Sequence, residues 1–146
     1  MEEIDHVSAE VVDAAIRIHR ELGPGLLESV YETVLAASLF RSGLKVGRQM
    51  PVDINYDGMR FDGAFRIDLL VEDQLVGEIK SIERLAAVHA KQLITYLRLV
   101  KQPVGLLLNF GGETMKEGIR RLVNNYGSPP SSSASPRTRA KHEYGE

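Results

Sequence analysis

The chain has 146 residues, 43% of them hydrophobic and 26% charged, enough for one domain that buries a proper core. It contains no cysteine, which excludes a disulfide framework, a thiolate zinc site and an iron–sulfur cluster. A net charge of −2 argues against a sequence-independent nucleic-acid binder that relies on bulk positive charge, while leaving room for a local basic cleft.

The acidic opening Met1-Glu2-Glu3-Ile4-Asp5 lacks the basic and apolar regions of a signal peptide. No apolar run approaches the roughly 18 residues that span a bilayer. A cytoplasmic protein without a membrane partner is expected. Ser8 is read as the N-cap of a helix over residues 9 to 22, striped by Val11, Val12, Ala15, Ile18, His19 and Leu22. His19 on that stripe reads as a core histidine with a satisfied ring. Gly23-Pro24-Gly25 ends the first helix and begins a second that runs to about Arg41, with Leu27, Val30, Tyr31, Val34 and Ser38 inward and Gly43 as its stop.

Residues 45 to 56 turn extended, and Asp57-Gly58 is a two-residue hairpin signal. From Met59 the odd positions Phe61, Phe65, Ile67, Leu69 and Val71 keep an apolar face, with Gly63 a candidate bulge. Glu72-Asp73-Gln74 then forms a loop that pairs Val71 with Leu75, Leu69 with Gly77, Asp68 with Glu78 and Ile67 with Ile79. That register gathers Ile67, Leu69, Val71, Leu75, Gly77 and Ile79 on one face, and Arg66, Asp68, Leu70, Val76, Glu78 and Lys80 on the other. A two-residue loop would mix the faces, which a half-buried sheet resists.

Residues 83 to 101 read as a helix, and Pro103 to Phe110 as a strand buried on both faces. Residues 113 to 126 read as a last amphipathic helix, and residues 127 to 146, rich in Ser, Pro and Gly, as a disordered tail. The predicted order is two helices, four strands, a helix, a strand and a helix.

The register makes Asp68 and Glu78 the first candidates for chemistry. Directly opposed, their Cβ atoms would lie about 4.5–5.5 Å apart, and two like charges there repel unless a proton or cation intervenes. Hard carboxylate oxygens suit Mg²⁺ or Mn²⁺, with water and phosphate oxygens completing the shell. Lys80 lies on the same face, about 6.6 Å beyond Glu78, and could orient an attacking water or stabilise developing negative charge. The plain alternative is a solvated face on which Arg66 and Lys80 offset the two acids. Glu28, in the first turn of its helix, is favoured there by the helix dipole, or is a third acid for the metal with Tyr31 facing the same way. His89, Gln92 and Tyr96 share one side of the later helix. Gln92 interrupts a stripe of Leu85, Val88, Tyr96 and Leu99, so it needs a partner, either a nearby loop or the metal site.

Gly25-x-x-Glu28-x-x-Tyr31, with the flanking Ile18-His19-Arg20-Glu21-Leu22-Gly23-Pro24, Phe65 to Val71, and Leu106-Leu107-Leu108-Asn109-Phe110, resembles the small GxxExxY proteins, a branch of the PD-(D/E)xK nuclease-like superfamily. The likeness spans residues 5 to 126. It implies an α/β, restriction-endonuclease-like core in the order α-β-β-β-α-β, a central mixed sheet flanked by helices, and an extra N-terminal helix, over a domain of residues 1 to 126. It implies a Mg²⁺- or Mn²⁺-dependent phosphodiesterase acting on DNA or RNA. Asp68, Glu78 and Glu28 would serve the metal, Lys80 the attacking water, and Gln92 the orientation of the site. Tyr31, Arg66, His89 and Tyr96 would lie toward substrate. Ile67 stands where the family pattern often has proline before the aspartate. Rival readings are a silent nucleic-acid-binding or accessory module on the same fold, and a small-molecule phosphohydrolase. The oligomeric state, a homo-oligomer included, is left open.

Overall fold

The elements run α1 (Glu2–Leu22), α2 (Glu28–Arg41), β1 (Val46–Tyr56), β2 (Met59–Val71), β3 (Leu75–Lys80), α3 (Ala87–Val100), β4 (Val104–Asn109), α4 (Met115–Gly118) and β5 (Ile119–Val123). This is a computed structural model that describes residues 2–125, so the expected tail at 127–146 lies outside the described residues. The strands form one mixed five-stranded sheet in the order β1-β2-β3-β4-β5. Only β3 and β4 are parallel, joined by the crossover helix α3.

Local chemistry accounts for the turns. Asp57 and Gly58 both take positive φ, +54° and +79°, as a type I′ hairpin turn requires. At the end of α2, Gly43 has φ +92°, and the N–H groups of Gly43 and Leu44 donate to the carbonyls of Phe40 and Leu39, a Schellman closure. Gly63, at φ +60°, sits in the register break between Val52 and Ile54 of β1, where its N–H donates to Asp53 Oδ1. β2 passes through this bulge unbroken, so three strands, not four, precede α3.

The sheet has a core on each face. On one side α1 and α2 bring Val7, Val11, Ala15, Ile18, Leu35 and Leu39 against Leu69, Val71, Leu75, Ile79, Leu106 and Leu108. On the other side α3 lays Leu93 and Leu97 over Ile67, Val76 and Leu107. Helices on both faces make this an α/β layer fold, consistent with a restriction-endonuclease-like core. The second sheet face is therefore covered by α3 rather than left to solvent.

Four other expectations from the sequence differ from the structure. α1 begins at Glu2, so Ser8 lies inside it, buried, and is not its cap. α2 turns Tyr31, Leu35 and Leu39 inward, while Leu27 and Val30 face outward. Ile67 packs with the α3 core instead of with Leu69, a switch that falls where β2 parts from β3. The expected helix over 113–126 is one turn followed by β5, antiparallel to β4. Ile119 and Leu122, three apart, read as a helical stripe, but on a strand that spacing serves opposite faces. Ile119 accordingly joins the α1 side and Leu122 the α3 side. An unfilled edge of β4 overrides helix periodicity. Among the described residues no helix is long and apolar enough to cross a membrane.

Candidate active site

The β2–β3 ladder runs Val71–Leu75, Leu70–Val76, Leu69–Gly77 and then stops. The three-residue loop and the pairing of Val71 with Leu75 and Leu69 with Gly77 are as the apolar alternation predicts, but neither Asp68 with Glu78 nor Ile67 with Ile79 is a ladder pair. Their side chains take over where the strands diverge. The Ile79 N–H donates to Asp68 Oδ2 at 2.8 Å, and the Asp68 N–H donates to Glu78 Oε2 at 3.3 Å. Each carboxylate thus satisfies a backbone donor that the parting strands leave unpaired. Beyond this point β3 pairs only with β4, with Glu78 beside Leu107 and Lys80 beside Asn109.

Glu78 is only 6% exposed. Burial, then the nearby Asp68 charge, raises its pKa to about 8, and the Asp68 N–H and the Lys80 charge pull it back only in part. Glu28 adds a smaller upward push, so its charge is felt at Glu78 from the start of α2. Glu78 therefore favours its protonated form at neutral pH.

The start of α2 is brought here by Tyr31. Fully buried and stacked on Phe110 at 4.4 Å, it donates from its hydroxyl to the Gly23 carbonyl at 2.5 Å and accepts the Leu26 N–H at 3.1 Å. The Leu26 carbonyl in turn accepts the Ser81 hydroxyl, just beyond Lys80. Tyr31 thus clamps the α1–α2 loop and is not open to substrate, a correction to its expected role. Loss of these two bonds in Tyr31→Phe, with ring stacking kept, should lower stability by about 1–3 kcal/mol. A urea transition with a lower midpoint and an unchanged slope would check this.

After β3, Asn109 holds the outgoing chain. Its side chain accepts the Ile82 N–H at 3.0 Å and donates to the Ile82 carbonyl at 2.9 Å. Gly111 lies so close that a Cβ there would meet the Ile82 carbonyl at 2.2 Å, so only glycine fits. His19 is a satisfied core histidine, its Nε2 donating to the Gly112 carbonyl at 3.0 Å.

On the α3 side, Tyr96 stacks on Phe65 with centroids 4.1 Å apart. Burial, then the charges of Glu78 and Asp68, raises its pKa, so Tyr96 is within electrostatic reach of the acids. Gln92 is exposed and so is Val88, because α3 buries the line of Leu93 and Leu97. Exposed, Gln92 needs no buried partner. His89 caps its own helix, its Nδ1 accepting the Ala86 N–H at 2.9 Å. Arg66 is exposed, with one long bond of 3.5 Å to the Gln49 carbonyl.

Sequence reasoning passed over Glu32 and Gln49. Gln49 Nε2 donates to Glu32 Oε1 at 2.7 Å and to Asp68 Oδ1 at 3.2 Å. Glu32 is buried and its Oε2 accepts from Arg48 Nε at 3.1 Å. Only the polar pair Arg48-Gln49, interrupting an extended segment, hinted at this.

Among the described residues no three of His, Cys, Asp and Glu form a ready-made cation cluster, so Glu28 does not complete a set of three with Asp68 and Glu78. Glu28 is exposed on the first turn of its helix, whereas Asp68 is half-buried and Glu78 buried. Two carboxylates still fit Mg²⁺, which commonly binds through one or two acids and fills its shell with water and phosphate oxygens. The raised Glu78 is the sign of that fit, a buried acid whose charge Lys80 offsets only in part.

The sequence profile of the PD-(D/E)XK nuclease superfamily matches residues 5–122. No curated protein matches the chain. Among solved structures, the crystal structure of SSO0001 is similar at 22% identity and a TM-score of 0.38, covering 78% of this chain and 65% of that one.

Proposed function

The chain belongs to the PD-(D/E)XK nuclease superfamily, and from that membership we propose that it is a divalent-metal-dependent phosphodiester hydrolase acting on DNA or RNA. The observation that supports this reading most is the clasp of Asp68 and Glu78 at the strand divergence, with Glu78 raised to about 8. Asp68 and Glu78 would hold Mg²⁺ or Mn²⁺. When bound, such an ion polarises a phosphoryl oxygen and makes a coordinated water more acidic.

The remaining steps belong to the chain's own residues. Lys80, two residues beyond Glu78 on β3, donates to the attacking water or to the phosphoryl oxygen as charge develops. Glu28, exposed on the first turn of α2, would serve as an outer acid through water. Gln92 and Tyr96, one turn apart on α3, and Arg66 on β2 offer donors to the nucleic-acid backbone. The finer placement in the GxxExxY branch rests on Gly25, Glu28 and Tyr31, and the clamp made by Tyr31 gives that spacing a physical sense: it fixes the loop that delivers Glu28.

The test is incubation of the purified protein with single-stranded and duplex DNA and RNA, with Mg²⁺ or Mn²⁺ and with EDTA. Cleavage that requires the metal is expected. No cleavage of any substrate, together with no Mn²⁺ binding by calorimetry, would leave a non-catalytic binding module as the reading.

A further inference from the structure

The buried Glu32 has no part in the mechanism above, yet both of its oxygens are engaged. Arg48 takes Oε2 and the Gln49 amide takes Oε1. Because a carboxylate can only accept, Glu32 decides which end of the Gln49 amide faces inward. The NH₂ group must point to Glu32, and its other hydrogen is then directed at Asp68 Oδ1, 3.2 Å away. Gln49 reaches this position from a backbone with φ +49°, unusual for a non-glycine residue inside a strand. It stands across from Asp68 at a step, between Arg48–Leu69 and Met50–Ile67, where the β1–β2 ladder has no pair.

Asp68 is thereby held from two sides. The Ile79 N–H fixes Oδ2, and Gln49 fixes Oδ1. Each oxygen keeps a second lone pair with which to bind a cation. A carboxylate tethered only at Oδ2 could rotate about its terminal bond, whereas two tethers on different oxygens fix its plane.

We propose that Gln49, oriented by Glu32, is a positioning residue that sets the plane of the Asp68 carboxylate for metal binding. The metal side of this inference rests on the proposed function. The positioning side does not, because it can be read in the metal-free protein.

The test is Gln49→Gly. Glycine accepts the positive φ without strain, so the backbone role is kept and only the amide is lost. In the metal-free protein, hydrogen exchange of the Ile79 amide, whose acceptor is Asp68, should speed up about tenfold relative to the amides of β4. A merely structural role would change Ile79 and β4 by the same factor, and that result overturns the proposal. By calorimetry the variant should bind Mn²⁺ about 10–100-fold more weakly than wild type, the usual cost of losing a group that orients a ligand. Affinity within twofold of wild type also overturns it. If wild type binds no Mn²⁺, the metal reading fails and the Ile79 exchange alone decides whether Gln49 positions Asp68.

Discussion

Lys80→Ala is expected to lower phosphodiester cleavage by about 10²–10³-fold or more while leaving Mn²⁺ binding in place, the size of effect seen when one donor to a developing charge is removed. A charged lysine has no lone pair to offer a metal, so its loss removes no ligand. It does remove a positive charge that now lowers the Glu78 pKa. Without it Glu78 holds its proton more tightly, and near neutral pH that proton competes with the ion. Affinities should therefore be compared above the Glu78 transition of each protein, which lies higher in the variant, and there they should agree within about twofold. Asp68→Ala should lose both metal and cleavage. Its fold should survive, because relief of the like-charge contact with Glu78 offsets the Ile79 N–H that loses its acceptor. Parallel loss of metal binding in Lys80→Ala at high pH would contradict these roles.

Glu78 should also make the metal-free protein pH-dependent in a direction opposite to most acids. Its folded pKa, about 8, lies above the ordinary value of 4.5, first through burial and then through Asp68. Between those values the unfolded chain has released the proton and the folded chain keeps it. Stability therefore falls as pH rises through this window, is fullest below it and levels above it. Glu78→Gln removes the titration. The variant should gain on wild type by on the order of a few kcal/mol between about pH 4.5 and 8, and by nothing more beyond. Paired urea transitions across that range would show it. A difference that stays constant with pH would mean that Glu78 is not the strained group. Saturating Mn²⁺ should stabilise wild type more than the variant at high pH, since the ion binds the folded state and needs the carboxylate.

The sequence by itself determined what depends on neighbours along the chain. Asp57-Gly58 gave the first hairpin, because few dipeptides accept two positive φ values in succession. Alternation around Glu72-Asp73-Gln74 settled the pairing of Val71 with Leu75 and Leu69 with Gly77, since a one-residue slip would mix the wholly apolar face with the one that carries the charges. The apolar run from Val104 to Asn109 was legible as a strand buried on both faces, and it is. The tertiary structure alone decided the rest, because those features join residues far apart in the chain. Ile119–Val123 became a strand because β4 had a free edge, a fact absent from that segment's own pattern. Tyr31 became a clamp because Gly23, Leu26 and Phe110 meet around it. Asp68 and Glu78 came together not as an opposed pair but as acceptors for the donors that β2 and β3 leave when they part. Gln49 reached Asp68 only through a left-handed turn of backbone and a buried Glu32 on another element. Periodicity reports which face a side chain takes. It does not report which unpaired backbone groups and buried charges that face will meet, and those set the geometry of this site.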